Sequence, residues 1–323
     1  MPRRASAIAA LIWLIAGCAS RAPVLSDAQF QPSAPASVDL TGVPFFPQEA
    51  YQCGPAALAT ALSYSGAEVT PQQLTPRVYL PAKAGSLQVE MVAEARRYDR
   101  IPYVIPRALP ALLAELQGGR PVVVFQNLGL AELPVWHFAA VVGYSRPYDT
   151  LLLRSGRNER ETMSGYNFVR TWEGGQSWGL VILRPGELPA ADDPDGYLRA
   201  VAAKESVSGP AGLLEAYRAA TLRWPDNVIA RFGYAHALQA SDELPAAIEQ
   251  YRVLLAQHPD QFAALNNLAD ALSRRGCRSE ALATVDRALA ASPQDPLRVV
   301  LGQTRREILA APGDAPEPAG CAP

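Results

Sequence analysis

A period of 34 residues constrains this chain more than any other feature. Pro225, Pro259 and Pro293 fall at that spacing, as do Ala237 and Ala271, Leu238 and Leu272, Ala247 and Ala281, and Leu255 and Leu289. A period of that size holds two helices and their turns. One such pair cannot bury its apolar side alone, so neighbours must stack and share a core. Asp226 to Pro259 and Asp260 to Pro293 are two well-formed units. Tyr217 matches Tyr251, which places a degenerate unit before them over 192–225, and Leu297 to Leu309 reads as a capping helix. Residues 192–309 are therefore expected to be all-α.

The other half carries candidate chemistry. In Gln48-Glu49-Ala50-Tyr51-Gln52-Cys53-Gly54-Pro55-Ala56-Ala57-Leu58 a cysteine opens an apolar helix. Pro55 suits a first turn, where the donor it lacks would be orphaned anyway. Ala57, Leu58, Ala61 and Leu62 then follow at the spacing of a buried stripe. A thiol at a helix N-terminus feels the positive end of the dipole, so its pKa is expected to fall and its thiolate to be nucleophilic. Gln48 could aim its amide at a developing oxyanion, with Gln52 as the rival donor. Free cysteines are more often buried small hydrophobes. A second segment shifts that balance: His137-Phe138-Ala139-Ala140-Val141-Val142-Gly143-Tyr144, where one of only three histidines opens an apolar strand. A cysteine on a helix start followed by a histidine on a strand start is the layout of papain-like thiol chemistry.

Together, Gln-x4-Cys-Gly-Pro-Ala-Ala-Leu and His-Phe-x-x-Val-Val-Gly-Tyr resemble the C39 and C39-like cysteine peptidases over roughly residues 40–185. The resemblance implies a papain-like fold, with Cys53 as nucleophile, His137 as base and Gln48 in the oxyanion hole. Two departures stand out. The glutamine of the bacteriocin-processing members lies one residue further from the cysteine. Their triad closes on an aspartate, but the matching run Leu151-Leu152-Leu153-Arg154-Ser155-Gly156 has Ser155 there; Asp149 and Asn158 lie to either side. The 34-residue period is that of tetratricopeptide repeats.

The rest of the first half reads as α+β. A helix from Cys53 to about Ser65 ends at Gly66. Ser86 is expected to cap a helix with Leu87, Met91, Ala95 and Tyr98 on one face, and Pro110 to Gln117 is a shorter helix closed by Gly118-Gly119. Strands are expected over Tyr103–Ile105, Pro121–Gln126, Phe138–Tyr144, Thr150–Arg154 and Trp178–Arg184. The Gln126 to Trp136 loop delivers His137, with Pro134 and Trp136 as a candidate apolar wall. The expected architecture is an α+β papain-like cysteine peptidase domain (41–187) followed by an all-α tetratricopeptide superhelix (192–309).

Arg3-Arg4 and an apolar run to Gly17 read as a secretory leader, too short to span a bilayer. Leu14-Ile15-Ala16-Gly17-Cys18 resembles the bacterial lipobox, which implies lipidation of Cys18, a membrane anchor through that lipid and, with Ala19 next, outer-membrane sorting facing the periplasm. Residues 19–40, rich in Ala, Ser and Pro, read as a flexible linker, and 310–323 as a disordered tail. The chain has 29 basic and 31 acidic residues, a net charge of −2, and no basic patch interleaved with aromatics, so nucleic acid is not an expected partner.

Arg231, Tyr234, Asn266, Asn267 and Asp270 are candidates to line a repeat groove for a protein partner, against the plainer reading of solvated helix faces. Gly233 holds the small position of its repeat, but the next repeat has Asn267 there. No Cys/His cluster at ligand spacing points to a metal, and no cofactor is expected. Cys277 and Cys321 could pair in an oxidising compartment or remain two thiols. The leading reading is an enzyme hydrolysing peptide bonds, with a peptide or protein substrate; the alternative is a papain-like scaffold with weak or no activity.

Overall fold

The computed structural model describes residues 22–48, 52–291, 296–311, 317–319 and 321. The leader and Cys18 lie outside the described residues. The first half is a sheet between two layers of helix. Its strands are β1 (Ser37–Asp39), β4 (Ile101–Val104), β5 (Val122–Asn127), β6 (Trp136–Ser145), β7 (Thr150–Ser155), β8 (Asn158–Ser164) and β9 (Gly179–Leu183); β2 (Tyr79–Leu80) and β3 (Gly85–Ser86) form a separate ribbon. The order is β4-β9-β5-β6-β7-β8, every neighbour antiparallel, with β1 also pairing β6.

Side chains alternate across a strand, so an unbroken apolar run such as Val122-Val123-Val124 must be covered on both faces. One face carries Val123, Phe138, Leu180 and Ile182 against helices α1 (Cys53–Tyr64), α2 (Pro71–Val78) and α3 (Gln88–Ala95). The other carries Val122, Val124, Ala139 and Val141 against α4 (Leu109–Gln117) and α5 (Gly165–Gly174).

The helical half follows as α6 (Pro194–Ser208), α7 (Leu214–Arg223), α8 (Val228–Ala240), α9 (Leu244–Gln257), α10 (Phe262–Arg275), α11 (Arg278–Ala291) and α12 (Leu297–Ala310). Its pairs α8–α9 and α10–α11 coincide with the two full sequence periods. The degenerate position is explained by contact. A Cβ on Gly233 would sit 2.2 Å from the Tyr217 ring, whereas Asn267, one period on, donates from Nδ2 to the Tyr251 hydroxyl at 3.3 Å. The same tyrosine position is thus met by an empty space in one repeat and by a hydrogen bond in the next.

Four expectations change. Ser86 pairs with Tyr79 in the β2–β3 ribbon, and Leu87 stands at the N-cap of α3 instead. Residues 22–40 are no loose linker: Leu25 is buried, Phe30 packs on Tyr144 with ring centroids 5.1 Å apart, and β1 adds to the sheet. Gly143 permits that addition, because a Cβ there would meet the Val38 carbonyl oxygen at 2.3 Å. Two described residues of the tail are held in place, since Cys321 is disulfide-bonded to Cys277 and the Glu317 carboxylate accepts from the Ser279 N–H at 2.6 Å. Finally, β8 and α5 occupy a stretch to which the sequence pattern assigned nothing.

Candidate active site

Helix α1 begins at Cys53, and all its residues from Gly54 to Leu62 are buried. That places the thiol at the inner end of a helix driven into the core. Gly54 is required by a close approach: a Cβ would lie 2.3 Å from the Ser86 Oγ. The β2–β3 ribbon thereby packs directly beside the cysteine. His137 lies at the start of β6, opposite Gln126 of β5.

Cys53, His137 and Gln48 line one cleft of about 780 Å³, together with Lys83, Ser86, Leu87, Phe125, Trp136 and Gln176 among others. Trp136 is half exposed and stacks on Phe125, centroids 5.1 Å apart and planes 14° from parallel. It forms the apolar wall; Pro134 does not line the cleft. Gln52 caps α1 through its backbone carbonyl, which accepts from the Ala56 N–H at 3.1 Å, and is also absent from the lining. Gln48 is fixed by its own N–H, which donates to the Gly156 carbonyl at 2.9 Å, while its Nε2 reaches the Phe138 carbonyl at 3.5 Å.

The His137 Nε2 lies 3.0 Å from the Ser155 Oγ. Ser155 is buried, and a register shift between β7 and β8 falls just before it, so that it pairs with Asn158. Bulges of this kind re-aim side chains beside sites. With the ring proton on Nε2 the imidazole donates to Ser155 and offers a lone pair at Nδ1.

The charge state differs from the sequence expectation. Burial pushes the Cys53 thiol above its ordinary value; hydrogen bonds from the backbone of Phe138, Gly54 and Cys53 itself pull the other way and lose. Burial also holds the His137 imidazole below its ordinary value of 6.5, against the smaller opposing pull of the Glu161 carboxylate. Desolvation disfavours both charged forms. Both shifts favour the uncharged thiol and imidazole over a thiolate and imidazolium.

Three residues emerge that pattern reading missed. Glu161 on β8 pairs with Leu153 of β7 and so sits on the face that carries Ser155. Ser86 Oγ is buried without a hydrogen-bond partner at the cleft. Lys83 brings the cleft a cation. Strand alternation could have flagged Glu161 had β8 been recognised; nothing local marks the other two.

The candidate groove residues are largely committed to internal bonds. Arg231 donates to Gln250 Oε1 at 3.0 Å and to the Pro225 carbonyl at 2.7 Å. Asn266 Oδ1 accepts from Thr304 at 2.8 Å, and Asp270 Oδ2 from Gln239 at 2.7 Å. Asn267 serves Tyr251, and Tyr234 packs against the apolar cores. These internal bonds occupy polar atoms that a partner would otherwise meet. Among the described residues no group of three or more His, Cys, Asp or Glu could hold a metal ion, and no helix is long and apolar enough to cross a membrane.

Residues 40–174 match the Peptidase_C39 like family, and 214–259 and 235–296 match the tetratricopeptide repeat. The chain joins a C39-like peptidase domain to tetratricopeptide repeats. No curated protein matches it. Solved structures that overlap it include a protein from Bacillus anthracis described as a C39-like peptidase, at 16% identity and a TM-score of 0.40, covering 46% of this chain and 98% of that one. The peptidase domain of Streptococcus ComA, a bi-functional ABC transporter involved in quorum sensing, overlaps at 17% identity and a TM-score of 0.36, covering 44% and 98%. At those values neither speaks to what this chain does.

Proposed function

We propose that this C39-like domain hydrolyses peptide bonds through Cys53 and His137, and that the repeats hold a protein substrate or partner close to it. The observation that carries the proposal is the meeting of Cys53, His137 and Gln48 in one cleft, with the His137 ring fixed by Ser155. From a neutral resting pair, the His137 Nδ1 takes the thiol proton as the sulfur attacks the substrate carbonyl carbon. The Gln48 amide, swung from the Phe138 carbonyl, and the Cys53 N–H hold the oxyanion. His137 returns the proton to the leaving amine, and water then hydrolyses the thioester.

The envelope reading is part of the same proposal: lipidation at Cys18 anchors the chain, facing the periplasm from the outer membrane. The described chain enters near the β6–β7 turn, where the Leu25 N–H donates to Asp149 Oδ1 at 2.8 Å. His137 is at the other end of β6, about 26 Å away at 3.3 Å per residue. An anchor at that entry would turn the cleft away from the bilayer.

The test is incubation with a diverse peptide mixture, read by mass spectrometry, for wild type, Cys53→Ser and His137→Ala. New peptide termini that vanish in both variants are expected. The scaffold reading is favoured by Ser155, since a hydroxyl stabilises an imidazolium less than a carboxylate does. Absence of cleavage, with a Cys53 alkylation rate indifferent to His137→Ala at every pH, would establish that reading instead.

A further inference from the structure

A second cavity, of about 510 Å³, lies away from the cysteine, where β4 at the sheet edge meets α6. It is lined by three arginines from three segments: Arg96 after α3, Arg107 after β4, and Arg199 on α6. None of them has an ion pair or donates a side-chain hydrogen bond among the described residues. Arg96 Nε is buried and without a partner. An orphaned guanidinium nitrogen is costly, and such groups ordinarily find an acceptor.

Among the described residues Asp193 is the one acid in the lining, and both its oxygens are in use. Oδ2 accepts from the Tyr103 hydroxyl at 2.9 Å, and Oδ1 from the Gly196 N–H at 3.0 Å, capping α6. Three guanidinium charges against one carboxylate leave the cavity two positive charges in excess. The rest of the wall is apolar, from Val92, Pro102, Val104, Ile105 and Ala200.

We propose that this cavity binds a phosphomonoester with an apolar body. Guanidinium forks match the oxygens of phosphate in paired hydrogen bonds. Phosphate as a dianion would balance the excess charge, as a single carboxylate would not. The apolar wall takes the body of the ligand. An anion beside Arg96 also offsets the burial that pulls this guanidinium below its ordinary value. The site is independent of the peptidase reading and neither stands nor falls with it.

The experiment is calorimetric titration of the full chain with phenyl phosphate, inorganic phosphate and benzoate, at matched ionic strength and about pH 8, where phosphate is dianionic. Phenyl phosphate is expected to bind saturably and at least about tenfold more tightly than either other probe, and more weakly as salt rises. Arg107 and Arg199 are exposed, so the Arg107→Gln/Arg199→Gln variant should fold as wild type by circular dichroism yet lose at least about tenfold in affinity. No saturable binding of phenyl phosphate would overturn the proposal. So would equal affinity for benzoate or inorganic phosphate, or unchanged binding by the folded variant.

Discussion

At the scale of single residues, burial is the largest influence on the pair Cys53 and His137. Both shifts favour the neutral forms. A carboxylate at position 155 would favour the imidazolium, so Ser155→Asp should raise the His137 pKa and bring Cys53 alkylation to lower pH; an unchanged alkylation profile would remove Ser155 from the arrangement. Glu161→Gln takes away the charge that raises the imidazole. The His137 ring should then titrate at still lower pH by NMR, an effect a merely structural role at Glu161 would not produce. Stability follows the same shift. A histidine whose folded pKa is depressed contributes stability that is present above its unfolded value of 6.5 and is lost as pH falls through the folded value. The melting temperature should therefore decline as pH falls from 6.5 toward the folded value in wild type and decline less in His137→Gln.

At the scale of elements, the close packing of the β2–β3 ribbon on α1 sets the floor of the cleft. Gly54→Ala would place a Cβ against Ser86 and should destabilise by about 1–3 kcal/mol, the usual cost of overpacking. Adding Ser86→Gly should recover part of that loss, as read from urea midpoints; no recovery would mean the clash lies elsewhere. The strands that sequence pattern located, β4, β5, β6, β7 and β9, are the largely buried ones, rich in apolar residues. Strand β8 is mostly exposed and reads Asn-Glu-Arg-Glu-Thr-Met-Ser, with no apolar alternation to mark it. Ser86 looked like a helix cap because it precedes an apolar period. Its ribbon with Tyr79 is a pairing between segments, which no helix-start rule can register.

At the scale of the whole molecule, the two halves share a core. One continuous apolar cluster runs from Ile101, Tyr103 and Leu183 of the sheet into Tyr197, Val201, Leu213 and Tyr217 of the helices. Lys204, buried on α6, pairs with Asp99 at 3.4 Å across the same junction. The first helix pair thus covers the sheet, and the repeat match begins only at its second helix, at residue 214. At the far end, the Cys277–Cys321 bridge closes a separation of 44 residues. Its loss in Cys277→Ser/Cys321→Ser should cost about 4 kcal/mol on the chain-entropy account. A urea midpoint for the helical half unmoved by the substitutions would mean that the bridge is not formed in solution.

What the sequence by itself determined is whatever is written in local period and spacing. The 34-residue repeat specified paired helices, the run after Cys53 specified a buried helix with the thiol at its start, and the apolar run after His137 specified a strand. Those features depend on neighbours a few positions away, which is where helix and strand geometry operates. Tertiary structure alone decided the rest. It placed Ser155 against His137, folded residues 22–40 onto the sheet, turned groove candidates such as Asn266 toward a neighbouring helix, and buried the thiol and imidazole so that their uncharged forms are favoured. The reason is physical: a side chain's desolvation and its bonding partners come from segments far off in the chain, as Leu25 meets Asp149 across 124 positions, and no local pattern carries that information.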